Sequence, residues 1–317
     1  MTRSSALPTS TTEDEAVGAL KLKGLPLTNT TSPTVQNGTG NLQTSNGYVF
    51  NPESSSNVAV YYGQTALTGS TSLESQCASP DIDIIILAFI TSRTTANKPI
   101  PNLGAACGNV DSSTVLSSQI LACQNTYGKK VVLSIGGAVG GVTFSSNDDA
   151  RSFAGVLWKT FGPVEGGGGN VVRPFGEMVL DGFDIDNENQ QPASYLTLAQ
   201  TLRAYFSSSP TKQYYLTSAP QCPFPDASNP TPMLLLCDFI FMQFYNNPSC
   251  EIGSSGFLSS LSTWSSAISS GRGMLYVGAP GWVEAGMSAY ENGIQGPKGI
   301  GAVVGNGKME FGGRFGG

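Results

Sequence analysis

The chain has 317 residues, enough for one large domain of the size that α/β barrels often reach. Charged residues make up only 12% of the sequence, the net charge is −6, and no long basic stretch occurs, so nucleic acid is not an expected partner. The sequence contains no histidine, which excludes Ser-His-Asp and Cys-His catalysis and most zinc sites. Carboxylates and tyrosines therefore remain as the natural catalytic groups.

The six cysteines show no CxxC spacing, so a metal cluster is not expected, and no cofactor is expected either. Their spacing allows many disulfide pairings, and the sequence by itself does not choose among them. The six are Cys77, Cys107, Cys123, Cys222, Cys237 and Cys250.

No segment approaches the roughly 20 apolar residues of a membrane span, so no span is expected. The stretch Met1–Glu15 is polar, and the apolar core of a signal peptide does not follow it. Two glycosylation sequons, at Asn29 and Asn37, are nevertheless compatible with secretion. These features alone leave the compartment open.

Residues 1–56 are rich in Ser, Thr, Asn, Gly and Pro and lack sustained periodicity, which predicts a disordered or irregular N-terminal extension. In residues 57–317, apolar strands alternate with helices, which predicts a parallel sheet with helices outside. About seven or eight such units favour an α/β fold, a (β/α)8 TIM barrel, over a doubly wound sheet. The predicted strands are Val58–Tyr62, Ile82–Ile90, Val131–Ile135, Val179–Asp186, Tyr214–Ser218, Phe239–Phe244 and Leu275–Gly278, and the predicted helices are Ser112–Thr126, Asp148–Phe161, Ala193–Phe206 and Phe257–Ser270.

The segment from residue 180 to 188, LDGFDIDNE, is the most informative part of the chain. In a strand, side chains alternate between faces, so Asp184, Asp186 and Glu188 point one way while Phe183 and Ile185 point the other. Like charges this close raise each other's pKa, so at least one proton should be held near neutral pH, as a general acid requires. A calcium-binding or solvated acidic turn is the alternative, but the apolar opposite face favours a buried strand.

Polar groups also follow other predicted strands, at the barrel end where catalysis takes place in this fold. The third strand ends at Gly136 and Gly137, which permit close backbone approach, although a simple turn would also explain them. The sixth strand is followed by a stretch of amide and phenol groups that could bind sugar hydroxyls, while its tyrosine could instead be a core aromatic. The first strand ends in Tyr61-Tyr62-Gly63-Gln64, a similar pattern.

These motifs resemble a known family. DGFDIDNE matches the DGxDxDxE signature of glycoside hydrolase family 18, and SIGG at residues 134–137 matches its SxGG signature. The segments VYYGQ (60–64), LTSAPQCPFPD (216–226) and QFYNNPSC (243–250) resemble class III, hevamine-like chitinases of plants and fungi. The resemblance covers roughly Asn57 to Tyr290. It implies a (β/α)8 barrel that hydrolyses β-1,4 linkages in chitin or N-acetylglucosamine oligosaccharides with retention of configuration, and an extracellular location.

The resemblance also implies residue roles. Glu188 would protonate the glycosidic oxygen and later act as base, while the substrate's own acetamido oxygen serves as nucleophile. Asp186 would orient the acetamido group, and Asp184 would lie beneath it and share a proton with it. Tyr245 would hydrogen-bond the acetamido carbonyl, and Tyr61 would support the aspartates. The remaining positions that match sugar contacts are Gln64, Asn102, Gly136, Gly137, Gln243 and Asn246.

The same resemblance implies two disulfides, Cys77 with Cys123 and Cys222 with Cys250. The usual family partner of Cys107 is absent from the sequence, so Cys107 and Cys237 are expected to be free thiols. A monomer is expected.

One departure from the family concerns the eighth barrel strand and its tryptophan. No tryptophan follows Trp282, and residues 311–317 are glycine-rich, so the last βα unit is expected to be missing. The edges of the first and seventh strands would then be exposed, with Ile300–Val304 as a poor substitute strand. A chitin-binding, lectin-like protein and an inactive truncated product are therefore alternatives to an active chitinase. An endoglycosidase acting on N-linked glycans is disfavoured by the segment from Gln243 to Asn247.

Overall fold

The computed structural model describes residues 22–25, 47–63, 72–104, 114–164, 172–210 and 212–280, with the first of these segments described as backbone. Strands and helices alternate along it. The strands are β1 (Leu22–Leu25), β2 (Val58–Tyr62), β3 (Ile84–Arg93), β4 (Pro99–Pro101), β5 (Lys130–Gly136), β6 (Gly182–Asp186), β7 (Tyr215–Ser218), β8 (Phe239–Gln243) and β9 (Met274–Gly278). The helices are α1 (Leu73–Cys77), α2 (Thr114–Leu121, continued by a π-helical turn, Ala122–Thr126), α3 (Asn147–Phe161), α4 (Tyr195–Ser208), α5 (Thr231–Leu234) and α6 (Phe257–Ile268).

The sheet is a ring of strands with helices between successive members. Parallel pairing runs from β2 through β3, β5, β6, β7 and β8 to β9, and β1 lies antiparallel between β9 and β2. The short strand β4 pairs antiparallel with the C-terminal end of β3. The predicted α/β barrel is confirmed, with seven parallel strands and one antiparallel strand closing the ring.

The closure corrects one expectation from the sequence. The edges of the first and seventh predicted strands, now β2 and β9, are both paired, because β1 aligns Lys23 with Val58 on one side and with Val277 on the other. Backbone N–H and C=O groups at a sheet edge need partners, and a four-residue segment supplies them here. The predicted substitute strand Ile300–Val304 and the chain end lie outside the described residues.

The prediction of an irregular extension over residues 1–56 did not include the strand β1. Residues 47–56 contain no helix or strand, yet they are attached to the barrel. The hydroxyl of Tyr48 donates to Asp83 at 2.5 Å, and the ring of Phe50 packs edge-on against Tyr215 and Phe239. An apolar side chain thus covers barrel residues that would otherwise meet water.

Two apolar layers hold the barrel together. Inward-facing residues of successive strands form the inner cluster, and the outward-facing residues pack against the helices. Helix α3 shows why these helices dock, because its Phe153, Leu157 and Phe161 are buried on one face. It begins after Ser146, whose hydroxyl accepts a hydrogen bond from the backbone of Asp149. The inner cluster comprises Ala59, Ile84, Ile86, Val132, Tyr215, Ala219, Phe239, Phe241, Met274 and Tyr276.

The predicted strands and helices are present, and their ends differ from the prediction by three residues at most. The elements that the sequence did not reveal are β1, β4, α1 and α5, each five residues or fewer, too short to show a hydrophobic period. The fourth predicted strand began at Val179, but β6 begins at Gly182. Across the described residues, the search for a helix both long and apolar enough to cross a membrane finds none.

Candidate active site

Two of the predicted carboxylates, Asp184 and Asp186, lie on β6, which pairs with β5 and β7. Asp184 is fully buried and pairs in register with Ser134 on β5 and Thr217 on β7. Its carboxylate accepts hydrogen bonds from Ser134 Oγ at 2.6 Å, Thr217 Oγ1 at 2.6 Å and the Tyr61 hydroxyl at 3.0 Å. Burial raises the pKa of Asp184, and the three hydroxyls oppose that rise by stabilising the anion. Side chains from neighbouring strands thus hold the Asp184 carboxylate in a fixed position beneath the site.

Asp186 lies two residues further along the same face and is also buried. Its Oδ1 accepts from Gln243 Nε2 at 3.0 Å, and the same nitrogen donates to the carbonyl of Ala219 at 2.9 Å. The pKa of Asp186 is raised well above its usual value, mainly by burial and secondly by the negative charges of Glu188 and Asp184. The hydrogen bonds described for Asp184 come from three hydroxyls and not from Asp186, so proton sharing between the aspartates stays a prediction.

Glu188 follows the end of β6 and is half-buried. One oxygen, Oε2, accepts a hydrogen bond from Gln221 Nε2 at 3.2 Å. Burial raises the pKa of Glu188, the amides of Gln221 and Gln243 oppose that rise, and the negative charge of Asp226 adds to it. A carboxyl group with a raised pKa and access to solvent suits a general acid.

The loop that carries Glu188 is tied to the loop after β7 through buried amides. Asn187 Nδ2 donates to the carbonyl of Ser228 at 2.9 Å, and Asn229 Nδ2 donates to the carbonyl of Asn187 at 2.9 Å. Asp226 accepts from the backbone N–H of Gln221 at 3.0 Å and of Ser228 at 2.9 Å. These contacts fix the position of the Glu188 backbone relative to Gln221.

Both predicted tyrosines lie against the carboxylates. The pKa of Tyr61 is raised well above its usual value by burial and by the charges of Asp184 and Asp186. The pKa of Tyr245 is also raised well above its usual value, mainly by burial and secondly by the charges of Asp186 and Glu188. Both hydroxyls therefore keep their protons and can act as hydrogen-bond donors.

Close packing requires the glycine pair at the end of β5, which argues against a simple turn. Gly136 has φ +121°, and a Cβ there would lie 2.0 Å from the carbonyl oxygen of Asp186. Gly137 has φ +81°, a Cβ there would lie 2.8 Å from the Phe89 ring, and its N–H donates to the Asp186 carbonyl at 2.8 Å. The glycines let β5 approach the backbone that carries the carboxylates.

Three other residues, Gln64, Asn102 and Asn246, were predicted to contact sugar. Asn102 is exposed, and its backbone exchanges hydrogen bonds of 2.7 and 2.9 Å with Phe89, whose ring contacts Tyr61. Asn246 is exposed at φ 59°, next to Tyr245. Gln64 lies outside the described residues. The sugar-binding roles of all three stay predictions.

Sequence reasoning did not single out Thr217, Gln221, Asp226 or Asn247 as site residues. Thr217 could have been found, because period-two alternation along β7 puts it on the inner face with Tyr215. The other three lie in loops, where no periodicity indicates direction.

Both predicted disulfides, Cys77–Cys123 and Cys222–Cys250, are present. Cys237 is a buried free thiol, as predicted, and Cys107 lies outside the described residues. In the described part of the chain, no group of three or more Cys, Asp or Glu side chains is arranged to hold a metal ion.

Fold and site together define a barrel of the glycoside hydrolase type. A sequence model described as Glycosyl hydrolases family 18 matches residues 57–292, and the chain belongs to this family, as predicted. The chain is 40% identical over 248 residues to the Endochitinase of Saccharomyces cerevisiae, a match that covers 76% of this chain and 42% of that protein. It is 37% identical over 242 residues to Acidic endochitinase SE2 of Beta vulgaris, with coverage of 76% and 79%.

A solved structure agrees with the family assignment. ICChI chitinase from Ipomoea carnea aligns with a TM-score of 0.57 and 38% identity, covering 64% of this chain and 73% of that chain. The match to the yeast relative spans less than half of that protein's length.

Proposed function

We propose that the protein is a chitinase that hydrolyses β-1,4 linkages in chitin and N-acetylglucosamine oligosaccharides, with retention and with help from the substrate's acetamido group. The observation that carries the proposal is the array formed by Asp184 and Asp186 on β6 and Glu188 just after it, whose pKa values are all raised. Family membership and relatives named as endochitinases in fungi and plants support the substrate class. The two disulfides are typical of an oxidising compartment, which supports action outside the cell.

Glu188 is the proposed acid and base. In the first step its proton passes to the glycosidic oxygen as the bond from that oxygen to C1 breaks, and the acetamido oxygen forms a new bond to C1. In the second step water attacks C1, its proton passes to Glu188, and the bond from C1 to the acetamido oxygen breaks. The raised pKa favours the protonated form of Glu188, which is the form that the first step needs.

Asp186 and Tyr245 are the proposed partners of the acetamido group. Asp186 can accept a hydrogen bond from the acetamido N–H and stabilise the positive charge that develops on the acetamido group. The hydrogen bond from the Gln243 amide holds the Asp186 carboxylate in place for this role. Tyr245 keeps its hydroxyl proton and can donate to the acetamido oxygen. Asp184 lies beneath Asp186, where three hydroxyl donors oppose the rise in its pKa, and we expect the two aspartates to share a proton.

The test is turnover and binding of chitin oligomers measured on one sample of the purified chain. Glu188→Gln keeps the shape of the side chain but cannot give up the proton, so turnover should fall by about 10³-fold or more while oligomer affinity changes little. The exposed Glu177→Gln, which removes one carboxylate from the segment that precedes β6, whereas Glu188 follows that strand, is the control and should leave both values unchanged.

Two results would contradict the proposal. Retention of more than about a tenth of the turnover in Glu188→Gln would remove this residue from the acid role. Oligomer binding without turnover in the unaltered chain would favour the lectin-like alternative. The anomeric configuration of the first product, read by NMR before mutarotation, separately tests retention.

A further inference from the structure

The amide of Gln221 lies between the proposed acid and a second amide. Gln221 Nε2 donates to Glu188 Oε2 at 3.2 Å, and Gln221 Oε1 accepts from Asn247 Nδ2 at 3.2 Å. The direction of this chain is set at its far end, because Asn247 Nδ2 also contacts the carbonyl oxygen of Tyr245 at 3.2 Å. A carbonyl oxygen only accepts, so this nitrogen is a donor, Oε1 must face it, and Nε2 is left to face Glu188.

The backbone of Gln221 is held in place by several contacts. Its backbone N–H donates to Asp226 Oδ2 at 3.0 Å, and residue 221 forms a parallel bridge with Gln243 at the end of β8. The next residue, Cys222, donates its N–H to the Gln243 carbonyl at 3.2 Å and is disulfide-bonded to Cys250. Little conformational freedom is therefore left to lose when the amide meets Glu188.

A donor aimed at Oε2 has a consequence for the neutral acid. A protonated carboxyl group has one hydroxyl oxygen and one carbonyl oxygen, and an N–H donor pairs with the carbonyl oxygen. With Nε2 on Oε2, the proton of Glu188 is carried by Oε1. The amide thus selects the oxygen that gives the proton to the glycosidic oxygen and later accepts one from water.

We propose that Gln221 is a positioning residue for Glu188, oriented by Asn247, and that this amide chain determines which carboxyl oxygen carries the catalytic proton. The inference rests on the proposed function, since it assumes that Glu188 is the acid. Nothing in it requires Gln221 to touch the substrate.

The first test is Gln221→Leu, which removes the amide and retains a side chain of similar length. A lost hydrogen bond to a charged group corresponds to a drop in kcat of roughly 10–100-fold on chitin oligomers, with little change in oligomer Kd. Because the amide favours the ionised form, its loss should also move the upper limb of the kcat–pH profile, assigned to Glu188, to higher pH. Gln200→Leu, on the exposed side of α4, is the matched control and should match the unaltered chain.

The second test reverses the amide without removing it. Asn247→Asp replaces the donor with an acceptor, so Gln221 should turn its Nε2 away from Glu188 and present Oε1 instead. We expect the same shift of the pH limb and a similar loss of kcat. The double variant with Gln221→Leu should show no loss beyond the larger single effect, because both changes break one chain.

The kinetics of these variants distinguish a failure of the Gln221 proposal from a failure of the proposed chitinase function. If Glu188→Gln is inactive while Gln221→Leu and Asn247→Asp keep normal kcat and pH limbs, the amide chain has no positioning role. If the two losses multiply in the double variant, Asn247 acts by its new charge and not through Gln221, which would overturn the proposal. If Glu188→Gln keeps its turnover, the proposed function itself fails. Melting temperature is measured for each variant, and Asn247→Asp provides the test if Gln221→Leu does not fold.

Discussion

Replacing Gly136 by alanine tests the close approach of β5 to the strand that carries the carboxylates. A Cβ at this position would lie 2.0 Å from the Asp186 carbonyl oxygen, whereas ordinary contact begins at 3.4 Å. One of the two strands must therefore move by about 1.4 Å, the difference between these distances. The φ of +121° adds strain for any residue with a Cβ.

The expected cost of Gly136→Ala combines two effects. Overpacking of a close-packed site costs about 1–3 kcal/mol, and a strained backbone conformation costs about 1–3 kcal/mol. The sum corresponds to a fall in Tm on the order of 10 °C for a domain of this size. A displacement of about 1 Å at Asp186 and Glu188 should also reduce kcat on chitin oligomers by about 10²-fold.

Two other glycines separate the causes. Gly176 also has a positive φ, +59°, but a Cβ there meets no atom within 4 Å, so Gly176→Ala should cost only about 1–2 kcal/mol and leave kcat unchanged. A Cβ at Gly141 meets nothing within 4 Å, and its φ lies outside the positive range, so Gly141→Ala should change neither Tm nor kcat measurably. Thermal melts by circular dichroism and oligomer turnover measure both effects. If Gly136→Ala behaves like Gly141→Ala, the approach of β5 to β6 is not what requires glycine.

Two further predictions concern pH and barrel closure. The folded-state pKa of Asp186 is raised, so its stabilising contribution is complete below its unfolded pKa of about 4 and is lost as pH rises through the folded value. Asp186→Asn should therefore turn over oligomers more slowly than the unaltered chain, yet have a higher Tm at pH 7. This increase in Tm should shrink as the pH is lowered toward 4. An equal increase in Tm at both pH values would show that Asp186 titrates normally. Lys23→Pro removes a backbone donor from β1 and should lower Tm by several degrees, at about 1–3 kcal/mol per unpaired group, while Lys23→Ala, which keeps the N–H, should not. Equal melting of these two variants would mean that β1 does not stabilise the barrel.

The sequence by itself determined those parts of the site that follow from local periodicity. Along β6, alternation put Asp184 and Asp186 inside while Phe183 and Ile185 pack outside, as the structure has them. The glycines at positions 136 and 137 were likewise visible in the motif, but a simple turn also explained them until the structure showed the close approach to Asp186. Strand and helix periods of two and 3.6 residues carry this information because side-chain direction repeats along each element.

Only the tertiary structure decided the contacts between loops and the closure of the ring. Glu188 and Gln221 are 33 residues apart and lie on loops after different strands, where polar residues follow no period. The strand β1 has four residues, too few for a recognisable pattern, and its role depends on the unpaired edges of β2 and β9, which lie far along the chain. Backbone groups at a sheet edge can pair with most segments that have free N–H and C=O groups, so pairing there depends more on proximity in the folded chain than on the side chains of the segment.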